Sequence, residues 1–298
     1  MLKYGRRGKQ NLGMKKKFVT ILLCLLALLT VAVALAGCGS CTANDPANAA
    51  KYDASVCEAQ DDALTGKTIY WLGSSVTLGM ASCEMSVPEY IAARHGAVCV
   101  KDAVSGTTLI DKPYKEFFSS YDSYVTRLTS GGKFDKNADV DAFVCQVSTN
   151  DAKKEHLGEW GELTEAENTD ADKFDVKTTL GAMEYVVAYV RKTWDCPVYF
   201  YTNARFDDKG ERGSGDPLGS DYAKLVGKTH ELAEKWNGLG ADVRVIDLFN
   251  DEAFNDVSDE DYGFWMYDAV HPYKAGYLEW WTPAFEKVLL RDFGGGEV

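Results

Sequence analysis

Short apolar runs recur along the chain, separated by longer stretches whose apolar residues fall three or four positions apart. Five runs read as strands: Thr68–Leu72, Ala97–Val100, Ala142–Val147, Val198–Tyr201 and Val243–Leu248. They are short and mostly apolar, as strands of a buried sheet are. Between and after them, Val87–His95, Tyr114–Leu128, Val176–Trp194, Asp221–Trp236 and Ala275–Leu290 carry helical spacing. Strands alternating with amphipathic helices predict an α/β fold with a five-stranded parallel sheet and helices on both faces. Five such units fit one domain, taken as residues 65–293. Residues 151–175 form a connection longer than this fold requires, acidic and solvated in character. Asn168, Asp170 and Asp172 briefly mimic a calcium loop, but Lys173 stands where glycine is needed and Thr179 where the bidentate glutamate belongs.

The N-terminus breaks the pattern. Residues 1–17 carry seven Lys/Arg and no acid, and an apolar run from Phe18 to Gly37 follows, which reads as an export signal over residues 1–37. An uncleaved membrane anchor is the competing reading, since about 20 apolar residues span a bilayer. The exit Leu35-Ala36-Gly37-Cys38 resembles the bacterial lipobox, which implies lipidation of Cys38 and an extracytoplasmic protein held on the cell membrane by that lipid anchor. Residues 38–64 are Ala/Asp-rich without a sustained period and read as a flexible tether.

Charge narrows the range of partners. Without the signal, 25 Lys/Arg face 45 Asp/Glu, a net charge of −20. Such a surface repels phosphate backbones, so nucleic acid is excluded as a partner. A monomer is expected. Beyond Cys24 and Cys38, six cysteines allow 15 pairings with no CxxC among them, and Cys145, inside an apolar run, reads as a core residue.

Three polar clusters follow the first three strands: Gly73-Ser74-Ser75-Val76-Thr77-Leu78-Gly79, Val104-Ser105-Gly106-Thr107-Thr108, and Ser148-Thr149-Asn150-Asp151. Carboxyl ends of parallel strands converge on one crevice. A hydroxyl, a glycine amide and an Asn side chain there supply an attacker and oxyanion donors for acyl transfer. Four histidines compete for the role of base. His95 precedes Gly96 and reads as a helix C-terminus, and His156 and His230 read as surface or packing residues. His271 lies in Asp268-Ala269-Val270-His271-Pro272, where an acid three residues upstream can orient the imidazole.

From about Lys67 to the last helix the chain resembles the SGNH (GDSL) hydrolases, with four motifs in family order. Ser75 matches the nucleophile, Gly106 the second-block glycine, Asn150 the third-block asparagine, and Asp268 and His271 the DxxH pair. The resemblance implies a flavodoxin-like three-layer α/β/α sandwich and a two-step serine esterase needing neither metal nor cofactor. Ser75, Gly106 and Asn150 would line the oxyanion hole. Two positions depart from the pattern: Ser74 stands where the family has Asp, and Ser148 where it has Gly. Substrate contacts are expected from Asn203 and Arg205 after the fourth strand and from Trp265 before the acid, whose aromatic neighbourhood suits a glycan acetyl or aryl ester. The alternative is an inactive surface lipoprotein of the same fold that binds a glycan or other ligand.

Overall fold

In the computed structural model, residues 43–111, 123–153, 159–165, 167–205 and 219–295 are described. Five strands, β1 (Thr68–Gly73), β2 (Val98–Ala103), β3 (Ala142–Gln146), β4 (Val198–Tyr201) and β5 (Val243–Ile246), pair in parallel in the order β2-β1-β3-β4-β5. The chain thus leaves β1 to one side for β2 and returns to its other side for β3. That reversal opens a crevice at the carboxyl ends of β1 and β3.

Among the described residues the helices that frame the sheet and the site include α1 (Ser75–Leu78), α2 (Val87–His95), α3 (Thr179–Thr193), α4 (Gly219–Gly238), α5 (Asp259–Trp265) and α6 (Thr282–Phe293). Side chains alternate across the sheet and build two cores. Tyr70, Leu72, Phe143, Cys145 and Phe200 pack with Met183, Val187, Tyr222 and Trp236 of α3 and α4. Ile69, Trp71, Val144, Tyr199 and Tyr201 pack with Tyr90 and Ile91 of α2 and Phe285 and Leu289 of α6. These are the three layers. Local chemistry sets the helix ends: Ser86 and Glu89 form a capping box at α2, and Thr178 caps α3.

Several boundaries move. Strand β2 runs on to Ala103 because Lys101 and Asp102 are paired: the Lys101 ammonium donates to Glu89, and Asp102 takes Arg127. Of the helix expected over 114–128, residues 114–122 lie outside the described ones; its end is a turn, Tyr124–Thr126, running into a π turn, Arg127–Gly131. A second π turn, Tyr277–Trp281, joins Lys274–Gly276 to α6. Residues 42–298 cluster as one compact unit.

The tether expected over 38–64 is not one in its described part. Residues 46–56 form three single-turn 3-10 helices, and Ala47, Asn48, Tyr52 and Leu64 are buried. Their small apolar residues pack on Ala275, Trp265 and Tyr273, enough to order a segment without helical periodicity. The signal over 1–37 and Cys38 lie outside the described residues.

Candidate active site

Glycines bracket the turn that follows β1. A Cβ on Gly73 would sit 1.6 Å from Thr77 Oγ1, and Gly79 ends α1 at φ +81°, where a Cβ would meet Met85 O at 2.7 Å. Both close approaches are available to glycine alone. Between them Ser74 and Ser75 point different ways. Ser74 is wholly buried; its amide and hydroxyl both donate to Gln146 Oε1, at 2.9 and 3.2 Å. Thr77 donates to the same oxygen through its amide and hydroxyl, and the Tyr201 hydroxyl lies 2.6 Å from Thr77 Oγ1. Two backbone N–H groups need an acceptor there, which fixes the amide with its oxygen toward the turn.

Ser75 opens α1, 7% exposed, and its Oγ lies 2.7 Å from His271 Nε2. His271 Nδ1 lies 2.9 Å from both oxygens of Asp268, so the ring proton sits on Nδ1 and Nε2 faces the serine as acceptor. Asp268 Oδ1 also accepts the amides of Val270 and His271, each at 2.8 Å. Burial pushes the Asp268 carboxyl up, but the hydrogen bond and charge of His271 and these two amides outweigh it and hold it below the usual carboxylate value. The loop is pinned by an antiparallel bridge between Met266 and Pro272 and by the Tyr267 amide donating to His271 O.

Gly106 and Asn150 stand at the ends of β2 and β3. Asn150 Nδ2 donates to Thr107 O at 2.9 Å, leaving its second N–H for another acceptor. Ser148 takes the Asn150 amide on its hydroxyl and donates to Thr107 O, which ties the two loops together. Beneath them Arg127 donates to Gly73 O at 2.7 Å, to Thr107 Oγ1 and to Asp102, with which it forms an ion pair buried on both sides. Tyr277 OH donates to Val76 O at 2.6 Å. Gln146 at the end of β3, Arg127 and Tyr277 therefore hold one turn from three directions.

The expected substrate contacts divide. Asn203 is 1% exposed; its backbone N–H donates to Tyr222 OH, and neither polar atom of its side chain has a partner among the described residues. Arg205 is exposed, its backbone held by Asn255. Trp265 stacks on Trp280 and donates to Glu279, which makes it a packing residue. Phe264 and Tyr267 expose their rings instead, Tyr267 at 42%, immediately before Asp268. Elsewhere His95 is buried between Asp62 and Glu286, and His230 is paired with Asp247. Among the described residues no group of three or more His, Cys, Asp or Glu stands ready for a metal ion.

Gln146 and the pair of Arg127 with Asp102 are not among the residues the sequence motifs single out. One signal was available. Gln146 and Asp102 are polar residues within or just after fully apolar strands, where a buried polar group demands a partner.

No protein-family model matches the chain, and no curated protein sequence does. Solved structures do. One crystal structure, 22% identical, covers 78% of this chain and 98% of its own at a TM-score of 0.55. A protein from Lactobacillus plantarum, 18% identical, covers 76% and 97% at 0.52. What the chain shares with these structures is its fold, a parallel five-stranded sheet between helical layers. A carbohydrate acetylesterase family member from Sinorhizobium meliloti, 16% identical, covers 77% and 100% at 0.49. At these identities the likeness is one of architecture, and the chemistry has to be argued from the side chains.

Proposed function

We propose that this protein is a serine esterase, and the observation that carries the reading is the unbroken chain from Ser75 Oγ through His271 to Asp268. His271 accepts the Ser75 proton as Ser75 attacks the ester carbonyl. The amides of Ser75 and Gly106 and the free N–H of Asn150 receive the developing oxyanion; neither amide donates to a protein acceptor among the described residues. The protonated imidazole then gives its proton to the departing alcohol. Water, deprotonated by the same nitrogen, cleaves the acyl-enzyme. The exposed ring of Tyr267, next to the acid in sequence, suits a sugar or aryl alcohol carrying a short acyl group. The purified protein should hydrolyse p-nitrophenyl acetate, a fluorophosphonate should label Ser75, and EDTA should leave the rate unchanged. A folded protein that is inert and unlabelled would sink the reading.

We further propose that the enzyme works outside the cytoplasm, lipid-anchored through Cys38. The lipobox supports this, and so does the disulfide at Cys83, a bond that oxidising compartments preserve. Cys38→Ala should remain an unprocessed precursor or leave the membrane fraction, read by fractionation and fatty-acid labelling. Unaltered processing and retention of that variant would rule the anchor out.

A further inference from the structure

Asn48 sits between the two halves of the site. Its Nδ2 donates to Ala81 O at 2.8 Å, six residues after Ser75. Its Oδ1 accepts the Lys274 amide at 3.0 Å, three residues after His271. The helical turn Lys274–Gly276 has no side-chain cap of its own from Tyr273, so Asn48 caps it from a distant part of the chain. Asn48 is 4% exposed and both contacts are buried, so no solvent competes for them. The surrounding segment is fastened on both sides. Asp53 pairs with the Lys274 ammonium, Tyr90 OH donates to Tyr52 O at 2.8 Å and reaches Lys274 O, and the Ala54 amide meets Met85 Sδ. Ala47 and Tyr52 close over Ala275.

We propose that residues 45–57 are a strap that sets the distance between Ser75 and His271, with Asn48 as its positioning residue. This rests on the Ser75–His271–Asp268 reading. The two catalytic side chains come from segments 196 residues apart, and their 2.7 Å contact survives only if the loops that follow them keep their separation. Tyr277 holds one side of that junction through Val76 O; Asn48 holds the other. The side-chain amide is suited to the task because it donates to one loop and accepts from the other. Alanine does neither. Aspartate keeps the acceptor for Lys274 N–H but sets an oxygen against Ala81 O.

The test compares Asn48→Ala and Asn48→Asp with Val56→Ala, an exposed position on the same segment. Each is first shown to be folded by circular dichroism and thermal melting. Displacements near 1 Å cost up to about 100-fold in rate. Asn48→Ala should therefore lose roughly tenfold to 100-fold in kcat on p-nitrophenyl acetate, with KM nearly unchanged and labelling of Ser75 slowed in parallel. Val56→Ala should match wild type. If Asn48→Ala fails to fold, Asn48→Asp, which retains the helix cap, carries the comparison and should show the same loss in kcat. Wild-type kcat in a folded Asn48 variant overturns the proposal. If wild type itself neither turns over esters nor takes the label, the esterase reading fails separately, and the strap is then read from the imidazole NMR signals of His271. Those signals should shift in the Asn48 variants and not in Val56→Ala; unchanged signals overturn the strap.

Discussion

Two adjacent serines make the sharpest comparison at the scale of single residues. Ser75 faces His271, whereas Ser74 turns inward and shares Gln146 Oε1 with Thr77. Ser75→Ala should lose several orders of magnitude in kcat with the melting temperature held, because base and nucleophile act as a unit. Ser74→Ala removes one neutral hydrogen bond, about 1 kcal/mol of stability, and should keep most of the rate. Both are read on one ester with folded protein; the reverse ranking would make Ser74 the nucleophile. Resemblance to a short motif singled out Ser75, Asn150, Asp268 and His271 in sequence, since each lies in a local pattern. What Ser74 does was not legible. Its partner is 72 residues away, and Gln146 reaches it only because β1 and β3 pair with Leu72 opposite Cys145. Register of that kind is a tertiary fact. The same holds for Asn203, whose place after β4 was readable but whose complete burial was not.

Among the elements, the strands were the most legible because their runs are short, mostly apolar and set between amphipathic helical stretches. The exceptions are instructive. Charged residues hid the end of β2, since Lys101 and Asp102 look like a loop until Glu89 and Arg127 are known to meet them. The segment over 46–56 was illegible for another reason. Three-residue 3-10 turns are too short to show a period, so only buried contacts reveal them. The two π turns share a property. Arg127, at the start of one, reaches Gly73 O, and Tyr277, at the start of the other, reaches Val76 O. Each therefore delivers a side chain to the backbone of the turn that carries Ser75.

For the whole molecule the governing fact is acidity, a formal charge of −13 for the chain and more negative without its basic start. Carboxylates that have no cation repel one another at neutral pH. A few are held differently. At Asp292 burial raises the carboxyl, but hydrogen bonds from Arg291, Arg244 and Tyr199 win and keep it below its ordinary value. At Asp247 burial is likewise outweighed by His230 and Asn250, and at Asp62 by His95 and the Leu64 amide. The unfolded chain binds protons at these sites near the ordinary value of 3.8, before the folded protein does. Their contribution to stability is thus complete above about pH 4 and is lost as pH falls through the lower folded values. Asp292→Asn gives a direct check. The variant should melt below wild type at neutral pH, and the gap should close on acidification through that range, because protonation removes from wild type what the substitution already removed. Calorimetry across the acid range decides it. A gap that stays constant or widens toward low pH would show that Asp292 does not stabilise the fold as a carboxylate.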